Sequence, residues 1–219
     1  VRTGEGFATF DQMLPMVRGG AVQETFWNYS FTPIRGEDGS VAGVFNQGHE
    51  TTERVLDERR SFMERQRLRF LGALDDRLRT SRDPLEVMQA AAEHLARHLG
   101  TSRTAYADVD ADNDRFVIRD DYTAPGVETS AGSYSLDLFG PRAAADMRGG
   151  TTLVIRDVAA ELAPGAGRDM FRSIGIEAII CCPLLKHGRL VAMMAVHQAA
   201  PRDWQEEEIG IVEAAVERC

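Results

Sequence analysis

Two apolar runs around a short polar turn constrain the fold of this chain more than any other stretch. The runs span 176–185 and 190–197, are rich in β-branched and other apolar residues, and are too short for isolated helices. His187 and Gly188 lie in the turn, and two such runs joined by a short glycine-containing turn predict a β-hairpin. Because both strands are apolar on both faces, we expect the hairpin in the middle of a sheet that is covered on each side.

The residues around this hairpin predict the order of the other elements. From 61 to 219 the order is helix, helix, strand, strand, loop, strand, helix, strand, helix, strand, strand, helix. Asp203, with Glu206 three residues later, forms a capping-box pattern that predicts the start of the last helix. We expect the helices at both ends of this order to cover one face of an antiparallel sheet, and the short middle helices and loops to cover the other. The middle part is predicted to contain a strand over 134–138, a helix over 140–147 and a loop over 159–167.

The first 50 residues contain a second predicted hairpin. An aromatic strand over 24–35 is followed by a Gly-Glu-Asp-Gly turn and by a return strand over 40–48. An apolar stretch upstream is broken by Pro15 and by the pair Gly19-Gly20. We therefore expect a hairpin with one extra segment, an arrangement that is only marginally stable alone.

A long helix is predicted between these two parts, from Thr51 or Thr52 to about Arg79. Its apolar residues recur at spacings of seven and four, with arginines at two positions of the stripe. This pattern favours a parallel dimer helix, and the last helix has a similar stripe. The residues predicted to line the dimer contact are Leu56, Met63, Phe70, Leu74, Ile209, Val212 and Val216.

Charge and hydropathy exclude several classes of partner. The net charge of −9 argues against a nucleic-acid or anionic-membrane surface. No run approaches the 18 apolar residues of a membrane span, and Val1 does not open a signal peptide. We therefore expect a cytoplasmic protein. The three cysteines, Cys181, Cys182 and Cys219, do not make a disulfide framework and are expected to be reduced thiols.

Few residues suggest chemistry. His94 and His98 have the spacing of two metal ligands on one helix, but no third ligand is evident, so we favour a solvated helix face and no metal. Cys181 and Cys182 are adjacent in a strand and must point to opposite faces. We favour buried small residues over a reactive thiol or a chromophore attachment point. The sequence contains no Gly-rich ATP lid and no asparagine-containing nucleotide box, so we expect no kinase catalysis from these residues.

Several stretches resemble a GAF domain. They are the Leu-Phe-Gly-Pro at 138–141, the Leu-Val-Ile-Arg-Asp at 153–157, the residues 183–192 and the Ala-Pro-Arg-Asp-Trp at 200–204 before a Glu-rich helix. The hairpin of the first 50 residues, with the junction 49–54, is similar to the end of a PAS domain whose beginning lies upstream. The resemblance implies an α+β fold in three parts. These are the C-terminal part of a PAS domain at 1–50, a signalling helix at 51–79 whose end forms the first GAF helix, and a GAF domain at 61–219.

The resemblance also implies a function. PAS followed by GAF is a sensor arrangement of bacterial histidine kinases, so we expect a sensory and dimerisation module whose partners are a second copy and a downstream output domain. A regulatory module of a cyclic-di-nucleotide enzyme is the first alternative, and a GAF-type methionine sulfoxide reductase is the second.

A GAF pocket would lie between the sheet and the short helices. The resemblance places Tyr106, Leu138, Phe139, Arg142, Asp157, Phe171 and one of Cys181 or Cys182 in its lining. Asp157 has the alternative role of capping a loop. The bilin attachment motif and the cyclic-nucleotide constellation of GAF domains are absent, so the ligand stays unknown. An equal alternative is a pocket filled by side chains, with the domain acting as a dimeric spacer.

Overall fold

A computed structural model describes residues 4–79, 83–165 and 167–218. The chain divides into two compact units, Val1–Gln66 and Arg67–Cys219. Within the described residues, no helix is both long enough and apolar enough to cross a membrane.

The first unit contains a three-stranded antiparallel sheet and the beginning of a helix. The strands are β1 (Phe7–Arg18), β2 (Ala21–Arg35) and β3 (Val41–Glu50), and they pair in chain order. Gly19 and Gly20 form the two-residue turn between β1 and β2, with φ of 58° and 83°. Two successive positive φ values match the twist of a tight hairpin and favour glycine at both positions.

The strand β1 differs from the sequence expectation. Pro15 was expected to break this stretch, yet it pairs with Glu24 inside a continuous strand. Proline has no amide hydrogen to donate, and an edge strand needs amides on only one side. Because β1 pairs with β2 alone, the edge of the sheet accommodates Pro15.

The long helix α1 spans Thr52–Leu78, as the sequence predicts within two residues. Its start is tied to β2: the amide of Thr51 donates to the carbonyl of Phe26 at 2.7 Å, and the amide of Phe26 donates to Oγ1 of Thr52 at 2.9 Å. The first bond satisfies an amide that a helix start leaves without a helical partner, and the second satisfies an amide of β2.

The second unit is built on a larger antiparallel sheet. Six strands pair in the order β7-β5-β4-β10-β9-β8, and a seventh, β6, also pairs with β4. The strands are β4 (Arg103–Val109), β5 (Arg115–Ile118), β6 (Asp121–Thr123), β7 (Gly132–Ser135), β8 (Leu153–Ile155), β9 (Ala178–Lys186) and β10 (Arg189–Gln198). The expected hairpin is β9 and β10, it lies inside the sheet, and its turn has positive φ at His187 (53°) and Gly188 (74°).

Helices cover both faces of this sheet, as predicted. The helices of the unit besides the end of α1 are α2 (Pro84–Leu99), α3 (Gly140–Gly149), α4 (Val158–Glu161), α5 (Arg168–Ser173) and α6 (Glu206–Val216), with a 3₁₀ turn at Leu136–Phe139 before α3. The end of α1, α2 and α6 pack on one face, here called the helix face. The 3₁₀ turn and α3 to α5 pack on the other, here called the cavity face.

Three local expectations are wrong. The strand expected at 134–138 ends at Ser135 and continues as the 3₁₀ turn, and the loop expected at 159–167 contains most of α4. The capping box of α6 is formed by Gln205 and Glu208 instead of Asp203 and Glu206. The Asp203 carboxylate accepts hydrogen bonds from Nε of Arg156 at 3.0 Å and from the side-chain amide of Gln205 at 3.2 Å, so it contacts the N-cap residue without capping the helix itself.

Most of the predicted dimer contact is used inside the chain. Phe70, Leu74, Val212 and Val216 are buried in the core of the helix face, and Ile209 packs against it. Residues buried in their own core cannot contact a second copy, so this part of the expected dimer contact is wrong. The apolar stripes are present, but their residues pack against the sheet of the same chain. Met63 is 41% exposed, and Leu56 is half-buried.

Candidate functional site

A small cavity lies on the cavity face, enclosed by the sheet, the 3₁₀ turn, α3 and α5. Its volume is about 60 Å³. Alternate residues of β4 and β10 form its floor, including Ala105, Ala107, Met193 and Ala195, because side chains of a strand alternate between the two faces. The lining is almost entirely apolar, as expected for sites that bind small molecules with few placed polar groups.

A close backbone approach brings the aromatic side chains of the cavity together. Gly167 has a φ of 87°, and a Cβ at this position would lie 1.9 Å from the carbonyl oxygen of Phe139. Glycine therefore lets the start of α5 lie directly against the 3₁₀ turn. The rings of Phe139 and Phe171 then meet edge to face, with centroids 5.0 Å apart.

A buried arginine and histidine supply the polar groups at one end of the cavity. His197 lines the cavity, and its Nδ1 accepts a hydrogen bond from Nε of Arg103 at 3.1 Å. Arg103 also donates from Nη1 to the carbonyl of Glu128 at 2.8 Å and from Nη2 to the carbonyl of Ile174 at 2.6 Å. All three guanidinium nitrogens therefore have partners, two of them in loops that border the cavity face.

The carboxylate of Asp121 balances the charge of Arg103. Its Oδ2 lies 4.0 Å from Nε of Arg103, and both side chains are buried. Asp121 also accepts hydrogen bonds from the hydroxyl of Thr129 and from the amide and hydroxyl of Ser130. A buried charge of either sign is stable only with such partners.

Burial sets the protonation of this group. Burial, assisted by the charge of Arg103, holds the pKa of His197 well below its ordinary value. Burial also lowers the pKa of Arg103, against the opposing effect of Asp121. His197 is therefore neutral, and because arginine is an obligatory donor, Nδ1 is the acceptor and Nε2 carries the proton.

The structure brings three of the predicted site residues into the cavity: Phe139, Phe171 and Cys181. Leu138 is 58% exposed, and Arg142 is exposed, with its guanidinium bonded to Glu161 and to the carbonyl of Val154. Asp157 is the N-cap of α4 and accepts from the amides of Ala159 and Ala160, which is the capping role considered as its alternative. These residues border the short helices without lining the cavity.

Tyr106 and Cys182 lie on the opposite face of the sheet. Tyr106 lines a wider groove of about 390 Å³ between α2 and the edge formed by β4 and β6. Both residues occupy the parity of their strand that points to the helix face. Arg103 and His197, which the sequence analysis did not select, have the opposite parity. Their place in the strand alternation, on the same side as the alanines of the cavity floor, was the signal that could have identified them.

The cysteines are poor nucleophiles. Cys181 and Cys182 are buried on opposite faces, as predicted. Burial raises the pKa of the Cys181 thiol far above its ordinary value and that of Cys182 to about 12. Since the thiolate is the reactive form, this geometry does not support cysteine chemistry. Cys219 lies outside the described residues.

The histidine pair of α2 has a packing role. The rings of His94 and His98 lie 4.8 and 4.5 Å from the ring of Phe70, measured between centroids. Among the described residues, no group of three His, Cys, Asp or Glu side chains has the arrangement of a metal site.

Comparison with protein families decides the identity of the second unit. The model of the GAF domain matches residues 83–219, more than half of the chain. The chain belongs to the GAF domain family. No curated protein matches the chain. The GAF match includes every residue that lines the cavity.

Solved structures with the GAF fold are similar to this chain. The chromophore-binding domain of the bacteriophytochrome RpBphP3 from R. palustris aligns with a TM-score of 0.64 and 13% identity, over 95% of this chain and 72% of that chain. The GAF domain of an Acinetobacter phosphoenolpyruvate-protein phosphotransferase aligns with a TM-score of 0.56 and 10% identity, over 70% of this chain and 89% of that chain. Residues 122 to 287 of a methyl-accepting chemotaxis protein align with a TM-score of 0.55 and 19% identity, over 66% of this chain and 91% of that chain. At these identities the likeness concerns the fold.

Proposed function

We propose that this chain is the sensory and dimerisation module of a two-component sensor histidine kinase, in which a small molecule bound to the GAF cavity changes the packing of helices α1 and α6. A single observation carries the proposal. Neighbouring residues of the central strands line the cavity on one face and pack against the helices on the other. A ligand in the cavity would therefore contact strands that also contact α1 and α6 on the opposite face of the sheet.

The central strands contain the two sets of residues in alternation. Cys181 and Met193 line the cavity, while Cys182 and Met194 belong to the core of the helix face. That core also contains Leu74 of α1 and Val212 of α6. A displacement of the strands on the cavity side therefore moves atoms that both helices contact, because close-packed cores transmit strain.

We further propose that the first unit is the C-terminal part of a PAS domain. The proposal is supported by its long aromatic strand β2, by the return strand β3 and by the helix that starts directly afterwards. The bacteriophytochrome match, which covers 95% of the chain, includes this unit as well as the GAF domain. The catalytic step is assigned to an output domain of the parent protein, and none is assigned to these residues.

The dimer contact is assigned to the first half of α1. Phe62 and Met63 are 53% and 41% exposed on a helix whose other exposed residues are mostly charged. Met63 lies within about 20° of Leu56 around α1, and Phe62 lies about 100° from Met63. Leu68, which is 59% exposed, lies about 140° around the helix from Met63. Paired apolar residues at such a position are typical of a helix–helix contact between copies.

Light scattering of the purified chain tests this assignment. The chain is expected to have the mass of a dimer, and the variant Met63→Glu that of a monomer, because a buried contact does not tolerate two unpaired carboxylates. Leu68→Glu is the matched control and keeps the mass of the dimer. A monomeric wild-type chain, or equal effects of the two variants, contradicts the dimer assignment.

A further inference from the structure

The size of the cavity limits the ligand to a few atoms. About 10–15 Å³ of such volume holds one water molecule, and an engineered cavity of about 150 Å³ in another protein holds benzene. The cavity of this chain, at about 60 Å³, has room for about four heavy atoms by the first measure and for about two or three by the second. A tetrapyrrole or a nucleotide is far larger than this space.

The charge pattern excludes an ion from the cavity. Among the described residues, no side chain of the cavity lining is charged, and the guanidinium of Arg103 behind His197 already donates from its three nitrogens to His197, Glu128 and Ile174. Asp121 balances its charge from 4.0 Å. A carboxylate, a phosphate or an ammonium group would therefore meet apolar side chains without a counter-ion, which is strongly unfavourable.

One polar group remains available to a neutral molecule. The bond from Arg103 fixes Nδ1 of His197 as an acceptor, so the ring can offer only its Nε2–H to the cavity that it lines. An N–H donor in dry surroundings recognises an acceptor such as a carbonyl oxygen and discriminates against groups that cannot accept.

We propose that the cavity binds a neutral molecule of no more than about four heavy atoms with an apolar body and one hydrogen-bond acceptor, and that Nε2–H of His197 recognises this acceptor. The biological role of this ligand rests on the proposed sensory function, although binding of the ligand can be measured independently of that function. Arg103 is a positioning residue: it sets the tautomer of His197 and holds the carbonyl of Ile174, a residue of the cavity lining.

Three probes of the same shape test the ligand class. Acetone, isobutene and acetate each have four heavy atoms in a Y arrangement, and they differ in acceptor and charge. The 219-residue chain, labelled with ¹³C at methionine methyl groups and ¹⁵N in histidine rings, is titrated with each probe. We expect acetone and isobutene to shift the Met193 methyl signal saturably, acetone to shift the His197 ring signals as well, and acetate to shift neither.

Variants at His197 separate recognition from simple filling of space. His197→Phe is expected to weaken acetone binding about tenfold and to leave isobutene binding within about twofold, since it removes one hydrogen bond. His197→Gln keeps an oxygen for Arg103 and an N–H for the ligand, so acetone binding returns to within about threefold of the wild type. Ala143→Leu fills the cavity without touching Arg103 or His197 and abolishes both shifts, which keeps the test valid if His197→Phe does not fold.

Other results overturn the proposal. Equal acetone affinities in the wild type and His197→Phe remove the recognition role, saturable binding of acetate removes the neutral class, and binding that persists in Ala143→Leu places the probe elsewhere. Absence of any shift shows a cavity closed to ligands. Repeating the titration with the Met63→Glu variant separates this proposal from the sensory one, because probe binding is expected whether or not the chain dimerises.

Discussion

The two faces of the GAF sheet are filled to different degrees, although the same strands supply both. On the cavity face a volume of about 60 Å³ is left between the sheet and the short helices. On the helix face, the gap beside Tyr106, Met194 and Val216 is about 10 Å³, and the groove of about 390 Å³ lies apart from it, between α2 and the strands β4 and β6. Over the central strands, the cavity face thus has room for a ligand, while the helix face is packed closely enough there to pass a displacement on to α1 and α6.

The largest effect is expected from loss of volume on the helix face. Leu95→Ala removes a fully buried side chain of α2 and should lower the free energy of unfolding by about 2–5 kcal/mol, as measured by urea denaturation. Leu85→Ala, in the same helix but 42% exposed, should cost less than about 1 kcal/mol. Similar losses for both variants would show that the helix face is not closely packed.

Added volume distinguishes the two faces directly. Ala215→Leu places three more carbon atoms at a fully buried position of the helix face and should destabilise the chain by about 1–3 kcal/mol. Ala143→Leu adds the same atoms beside the cavity and should change stability by less than about 1 kcal/mol in either direction. The comparison fails if Ala143→Leu is the more destabilising of the two in urea denaturation.

The buried histidine gives the cavity face its own pH dependence. The folded chain holds the pKa of His197 well below the ordinary value of about 6.5 that the unfolded chain restores. The contribution of neutral His197 to the free energy of unfolding is therefore complete above about pH 6.5. It is lost as the pH falls below this value, because only the unfolded state takes up the proton. The slope reaches at most about 1.4 kcal/mol per pH unit.

Urea denaturation between pH 7.5 and 5 measures this slope. His197→Phe and His197→Gln both remove the titrating group, so the free energy of unfolding of each should depend less on pH than that of the wild type. A slope that is unchanged in both variants would assign the pH dependence to other groups.

The sequence predicted the frame of the GAF domain because its signals are local. The hairpin β9–β10 combines apolar runs with a glycine turn, and α2 has a capping aspartate, a proline in its first turn and a glycine at its end. Such residues act through their immediate neighbours in the chain. The division of the helices between the two faces followed from the order of the elements.

The cavity was harder to predict because its polar groups depend on distant segments. Arg103 is stabilised by carbonyl groups of Glu128 and Ile174, which come from loops 25 and 71 residues away in the chain. Tyr106 was assigned to the wrong face because the register of β4 depends on its partner β10. A shift of one residue moves every side chain of a strand to the other face of the sheet. The stripe of α1 was found, but periodicity alone does not distinguish a core contact from a dimer contact.

The coupling of the two faces can be measured by amide hydrogen exchange of the helix face when the cavity is filled. The Ala143→Leu variant occupies the cavity permanently, and the exposed turn variant Ala111→Leu is its matched control. If the sheet transmits a displacement from the cavity face to the helix face, the exchange rates of the amides of Phe70–Leu74 and Ile211–Val216 change severalfold in Ala143→Leu and stay unchanged in Ala111→Leu. Changes that are confined to the amides of α3, α5 and the cavity lining would contradict the coupling on which the proposed function depends.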